Sequence, residues 1–239
     1  MSLYGFLESV GIPVVIQSAL LASVLLLLTG VLVRRHLASL ADGGLIPDAG
    51  FSLRNAVEMV VDALVGLARD IIGDDYRRFV GFIATLFCFI LLSNLMGLVP
   101  ALGGATSFAD TTWAWAFVTF VVYNYVGIRK HGARYILQFC GPSFDIPVGG
   151  GRTIHFPLLF WFFLPLEIPL HFARMLTLSV RLLANMFADH LVVGLWLSLL
   201  PFLVPAIFLG LGTMVAVVQA FVFSLLTMTY IGMALDEPH

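Results

Sequence analysis

Two mostly apolar stretches, 156–200 and 201–235, close this chain and constrain its fold more than any other feature. At 1.5 Å per residue, a helix over the second would be about 52 Å long, against a hydrocarbon core about 30 Å thick. Unbroken, such a helix has to lie at about 50–55° to the membrane normal or protrude from the bilayer. In the first stretch, Pro157, Pro165 and Pro169 can break off a short membrane-embedded segment ahead of a long helix over 172–199. The expected arrangement is a hairpin of two long, steeply tilted helices, which suits a chain that follows a curved partner. A plain bundle of kinked helices is the alternative.

Charge settles the broad class. The 239 residues are 60% hydrophobic and 11% charged, where a soluble domain carries about 25% charged residues. The chain therefore reads as an integral membrane protein, without a basic patch for nucleic acid. Three spans precede the hairpin, at 13–33, 79–99 and 112–128. A secretory signal has positive charge ahead of its apolar core; here Glu8 precedes the first run, and Arg34, Arg35 and His36 follow it. Arg77 and Arg78 precede the second span, and Arg129, Lys130, His131 and Arg134 follow the third. With alternating spans every basic cluster falls on one side, while the other receives Glu8 and Asp110. The positive-inside rule then places the N-terminus outside and the basic loops in the cytoplasm.

The connecting segments carry less information. "ADGGLIPDAG" predicts turns, and 51–72 an amphipathic helix. Val57, Val61, Leu64 and Ile71 or Ile72 fall near one face of it, with Arg54, Glu58, Asp62, Arg69 and Asp70 among them. That helix can lie on the inner membrane surface or serve as a connector packed on protein. The loop 135–155, with "GPSFDIPVGGG", predicts turns rather than a domain. Cys88 and Cys140 read as packing thiols, since no disulfide framework or metal-ligand spacing accompanies them. The expected fold class is an all-α integral membrane protein: one membrane domain, 1–239, of five to six membrane helices plus one interfacial helix. The broken segment and long tilted helix occupy 156–199, and the last tilted helix 201–235.

Into this apolar frame the chain sets "TLSVRLLANMFADH", 177–190, preceded by Glu167, His171 and Arg174. At 100° per residue from Arg181, Arg174 falls at about −20°, Asn185 at about 40° and Asp189 at about 80°, on one stripe. His190 falls on the opposite side. The last helix carries Gln219, with Thr213, Ser224, Thr227 and Thr229. Arg181 is the decisive residue, because a guanidinium does not deprotonate and its burial costs several kcal/mol by insertion scales. A structural ion pair to Asp189 or Glu167 is one reading, although Asp189 lies too far along the helix for a direct pair and the residue at i+4 is the neutral Asn185. The other is an arginine awaiting a carboxylate supplied from elsewhere. Glu167, His171, Asp189 and His190 can take up and release protons. A row of them approaching Arg181 from both sides would form two half-pathways interrupted at a fixed positive charge.

These residues resemble those of a known family, subunit a of the rotary F-type ATP synthases, over nearly the whole chain from the first span onward. The likeness is strongest in "SVRLLANMFADHLV" and "VQAFVFSLLTMTYIGMAL" and weaker in "LLSNLMGLVP" and "GIRKHG". Arg181, Asn185 and the triplet Ala188, Asp189, His190 match the family hallmark. Glu167 falls where the family has an acidic residue, Arg174 where it has a basic one, and Gln219 matches a glutamine that faces the arginine. The resemblance implies a stationary ion-translocating subunit whose long hairpin wraps a ring of subunit c hairpins, each bearing a carboxylate. It also implies a peripheral stalk of subunit b, an indirect link to the F1 sector, no cofactor, no metal and no catalytic residue in this chain. The absence of a Gly-Lys-Ser/Thr phosphate loop agrees with ATP chemistry being elsewhere. Protons are the expected ion, with sodium the alternative. A bacterial inner membrane is the expected location, as no transit peptide precedes the first span.

Three positions depart from the family pattern: Asp189 replaces a usual glycine, Gly212 a histidine or glutamate, and Met175 a proline. The first two can be related, with the acid lost at 212 restored at 189. Two rival classes remain. A freestanding ion channel or transporter needs its own central site, often between inverted repeats, and no repeat is evident. A membrane enzyme with Asp189 and His190 as a base pair is disfavoured, since neighbouring helical residues point about 100° apart.

Overall fold

The computed structural model of the chain describes residues 13–39, 53–99, 103–132, 144–148, 152–156, 160–199 and 203–235. Among the described residues six α-helices carry the fold: α1 (Val14–Ser39), α2 (Leu53–Ile72), α3 (Tyr76–Leu98), α4 (Ala109–His131), α5 (Phe160–Leu199) and α6 (Leu203–Leu235). Short 3-10 turns, Gly73–Asp75 and Ala105–Ser107, precede α3 and α4. Among the described residues four stretches are long and apolar enough to cross a membrane: Val14–Arg35, Arg54–Leu98, Phe172–Leu199 and Val204–Leu235. The third predicted span lies within α4, which is less apolar than α1, α3, α5 and α6. The molecule is an all-α membrane protein.

Local chemistry explains the helix ends. Gly73 (φ 76°) adopts a left-handed backbone conformation that turns α2 into α3. α3 stops at Val99, whose backbone is extended (ψ 111°), as expected of a residue before Pro100. Along α4, Asp110 sits in the first turn and Arg129, Lys130 and His131 in the last, each sign opposing the helix dipole. Gly132 (φ 59°) then closes α4 by donating its N–H to the Ile128 carbonyl at 2.8 Å.

Two sequence expectations change. Instead of breaking, α5 is one helix from Phe160 to Leu199, with Pro165 and Pro169 inside it. Each proline removes one N–H donor, and a helix at membrane depth tolerates such losses where its surroundings re-satisfy the freed carbonyl. At 40 residues α5 is about 60 Å long, twice the hydrocarbon thickness. The loop expected to form turns instead contains an antiparallel hairpin, β1 (Phe144–Val148) and β2 (Arg152–Phe156), with Phe144 opposite Phe156 and Val148 opposite Arg152. Its two runs of Ile, Val, Thr and Phe flank three glycines, a hairpin pattern. The stretch 41–50, Glu8, Cys140 and Pro157 lie outside the described residues, as do the side chains of Glu167 and His171. Cys88 is a half-buried free thiol in α3.

The core joins α2 to α6. Ile83, Leu86 and Ile90 of α3 pack with Leu178 and Leu182 of α5, and with Phe223, Met228 and Ile231 of α6. Leu64, Ala68 and Ile72 set the apolar face of α2 against the same core, leaving Asp62, Arg69 and Asp70 exposed. The connector reading of α2 therefore accounts for its apolar face. Lipid is as apolar as leucine, so helices in a bilayer associate through close packing and hydrogen bonds. That suits the small residues at the contacts: a Cβ added at Gly232 of α6 would lie 2.9 Å from the Ile71 carbonyl of α2. Asn94 of α3 donates to the Ala216 carbonyl of α6 at 3.3 Å, and Ser179 of α5 bonds Thr112 of α4 at 3.2 Å. α1 attaches through Ala22, packed with Phe89, Met96 and Ala105, and leaves Leu20, Leu27, Leu28 and Leu32 exposed.

Candidate functional site

The antiparallel register of α5 and α6 organises the site. Three cross-contacts define it: the Arg174 guanidinium lies 5.6 Å from the Tyr230 ring centroid, Asp189 adjoins Gly212, and the Trp196 and Phe208 rings stack at 5.9 Å. Interpolated at helical rise, this register brings Gln219 to within about one turn of the level of Arg181.

Arg181 is exposed, on an open face of α5 that also presents Val180, Ala184, Phe187, Ala188 and Leu191. Among the described residues it has neither a hydrogen-bond nor an ion-pair partner. A structural pair to Asp189 is therefore not made. On α6, Ile207, Leu211, Met214, Val218 and Phe221 are similarly exposed. One surface of the hairpin thus combines an unpartnered guanidinium with small and apolar side chains.

The predicted stripe divides in three dimensions. Arg181 stays on the open face, while Arg174, Asn185 and Asp189 are half-buried. Asn185 and Gln219 (also half-buried) have no hydrogen-bond partner among the described residues. The Asp189 carboxylate comes within 3.7 Å of where a Cβ on Gly212 would begin. Thr213, Ser224, Thr227 and Thr229 each donate to a carbonyl of their own helix and offer little to an ion.

His190 points away from Arg181, as the helical angle predicts, and reaches α3. Its Nε2 lies 2.8 Å from the Gly97 carbonyl. That carbonyl is one of the last four of α3, which have no partner inside their own helix. A carbonyl can only accept, so Nε2 carries the hydrogen and donates, leaving Nδ1 as the free ring nitrogen.

Sequence reasoning assigned no role to what surrounds His190. Gly97 abuts Gly104 so closely that a Cβ on Gly104 would sit 2.8 Å from the Gly97 Cα, and a Cβ on Gly97 would strike the Met186 methyl. Beside them, Ser93 Oγ, Asn94 Oδ1, Thr106 Oγ1 and Ser107 Oγ are buried without a hydrogen-bond partner among the described residues. Ser93 and Asn94 carried a signal, as polar side chains within an apolar span. Thr106 and Ser107 carried none, because a short turn between spans is ordinarily polar.

The fold and this polar seam define a class: an integral membrane protein whose long final hairpin displays an exposed arginine near ionisable side chains. Comparison with known proteins narrows the class. Residues 16–232 match the family model described as ATP synthase A chain. ATP synthase subunit a 2 of Syntrophotalea carbinolica is 38% identical over 217 residues, covering 90% of this chain and 84% of that relative. ATP synthase subunit a of Bdellovibrio bacteriovorus is 35% identical over 205 residues, covering 84% of each chain. That of Geotalea uraniireducens is 37% identical over 203 residues, covering 85% of this chain and 82% of the relative. The chain belongs to the ATP synthase A chain family.

Proposed function

We propose that this chain is the stationary ion-translocating subunit of the membrane motor of an F-type ATP synthase, facing a ring of subunit c. The reading is carried by one observation: Arg181 stands exposed, and without a partner among the described residues, on an open apolar face of the α5–α6 hairpin. A carboxylate moving through apolar surroundings stays neutral, because desolvation raises its pKa. Beside Arg181 the anion is favoured and the proton, or a sodium ion in the alternative, is released. The site must then move on before it reloads. The permanent charge also blocks direct passage between the two half-pathways. An ion crossing 100 mV supplies about 2.3 kcal/mol, which drives rotation, while ATP chemistry takes place in other subunits.

Asn185 and Gln219, both without hydrogen-bond partners among the described residues, would then steer the arriving carboxylate. Glu167, with Arg174 and His171 in support, belongs to the half-pathway at the basic end of the hairpin. Asp189 and His190 belong to the other. Ser93, Asn94, Thr106 and Ser107 extend that second half-pathway, since buried polar atoms without protein partners are ordinarily met by water. With the basic loops cytoplasmic and the N-terminus outside, the second half-pathway opens outward across a bacterial inner membrane. Subunit b and the F1 sector complete the assembly.

Two experiments test this. ATP-driven ion uptake into vesicles containing the whole complex, with and without sodium, should be lost in Arg181→Ala. Retained coupled uptake defeats the mechanism. Asp189 stands against Gly212 as though supplying the acid that helix lacks, so Asp189→Gly should abolish uptake while Ala188→Gly leaves most of it. Equal, mild effects of the two substitutions would refute the compensation.

A further inference from the structure

Away from the hairpin's open face, an open cavity of about 700 Å³ lies where α3 begins and α4 and α6 end. Its walls include Phe79, Val122, Val126 and Leu235, and its rim carries Arg78, Arg129 and Lys130. Asp75 is the acidic residue among the lining groups and lies 3.6 Å from Arg78. Arg129 and Lys130 are exposed and have no carboxylate partner among the described residues. Three cations against one anion leave the rim positive. Below it, Phe117, Val121 and Tyr125 are exposed at spacings of four residues, forming an apolar stripe along the outer face of α4 that runs into the cavity.

The geometry points to an anionic phospholipid in this cavity, its phosphate held by Arg129, Lys130 and Arg78 and its acyl chains lying along the α4 stripe. Basic pockets between membrane helices at the inner leaflet suit such headgroups, and arginine binds phosphate through paired N–H donors. The opening is continuous with the exposed apolar stripe of α4, which acyl chains would cover. A soluble phosphate would leave the apolar walls unused. This assignment does not depend on the role proposed for Arg181.

The test reconstitutes the whole complex in phosphatidylcholine vesicles with trace photoreactive phosphatidylglycerol or trace photoreactive phosphatidylcholine, and maps cross-links by peptide mass spectrometry. Labelling within 117–130 should favour the anionic lipid at least about ten-fold, since each cation near the surface contributes roughly five-fold. Arg129→Gln with Lys130→Gln should reduce the preference to about two-fold or less, and Arg129→Lys should retain most of it. Arg34→Gln with Arg35→Gln, which alters a separate basic cluster, should leave it unchanged. Equal labelling by the two lipids overturns the assignment, as does a preference that survives loss of both cations. So does a preference seen only after Asp236→Asn with Glu237→Gln, which would show the chain's own carboxylates occupying the rim.

Discussion

At the residue scale the chemistry turns on what a side chain cannot do. Arg181 cannot lose its charge, whereas a lysine placed in low dielectric can. Arg181→Lys should therefore fail to support ATP-driven uptake, with a loss of at least about ten-fold, although charge at neutral pH in water would be unchanged. Uptake within two-fold of the parent would mean that any cation suffices. His190 illustrates a second constraint. Its Nε2 is committed to the Gly97 carbonyl, so His190→Leu removes both that bond and the free Nδ1, while His190→Gln can restore only the donor. Thermal stability of the complex should fall by about 1–3 kcal/mol in the leucine variant, the usual consequence of leaving a buried acceptor unpaired, and recover in the glutamine variant, while uptake stays depressed in both. Recovery of uptake in His190→Gln would reduce the histidine to a structural cap.

Between elements, close approach matters more than backbone conformation. Gly104 has φ −77° and ψ 142°, which any residue can adopt. It is required because a Cβ there would meet the Ser93 carbonyl and the Gly97 backbone, neither of which is a flexible side chain. Gly104→Ala should thus separate the turn from α3 and destabilise the protein by about 1–3 kcal/mol or more. Gly97→Ala meets chiefly the Met186 methyl, and methionine repacks readily. Its effect should be less than half as large. Melting of the two variants in detergent separates these cases, and equal shifts would show that Met186 is held rigidly.

For the molecule as a whole, alternation of the spans sets the orientation. Asp74, exposed at the basic end, and Asp110, exposed where α4 starts, lie on opposite sides if α3 and α4 cross successively. In a background without Cys88 and Cys140, a cysteine at 74 should react with an impermeant thiol reagent at least about ten-fold faster from the cytoplasmic side, and one at 110 from the outside, as the charge bias requires. Reaction of both from one side would overturn the topology. The same scale explains why some of the protein was legible beforehand. The apolar spans, the excess length of α5 and α6 and the amphipathic α2 are all properties of hydrophobic period and charge along one chain. The continuity of α5 through Pro165 and Pro169 was not, because tolerance of a proline depends on neighbours that can meet the freed carbonyl.

What the amino-acid order determined alone is the solvent this protein must live in and the angular positions of its charges around each helix, since hydrocarbon thickness and helical pitch are fixed quantities. Only the tertiary structure decided which of those charges are met. It set Arg174 over Tyr230, Asp189 against Gly212 and His190 on Gly97, and left Arg181 open. The physical reason is that a partner on another helix is chosen by how helices pack, and packing depends on the shapes of two surfaces at once.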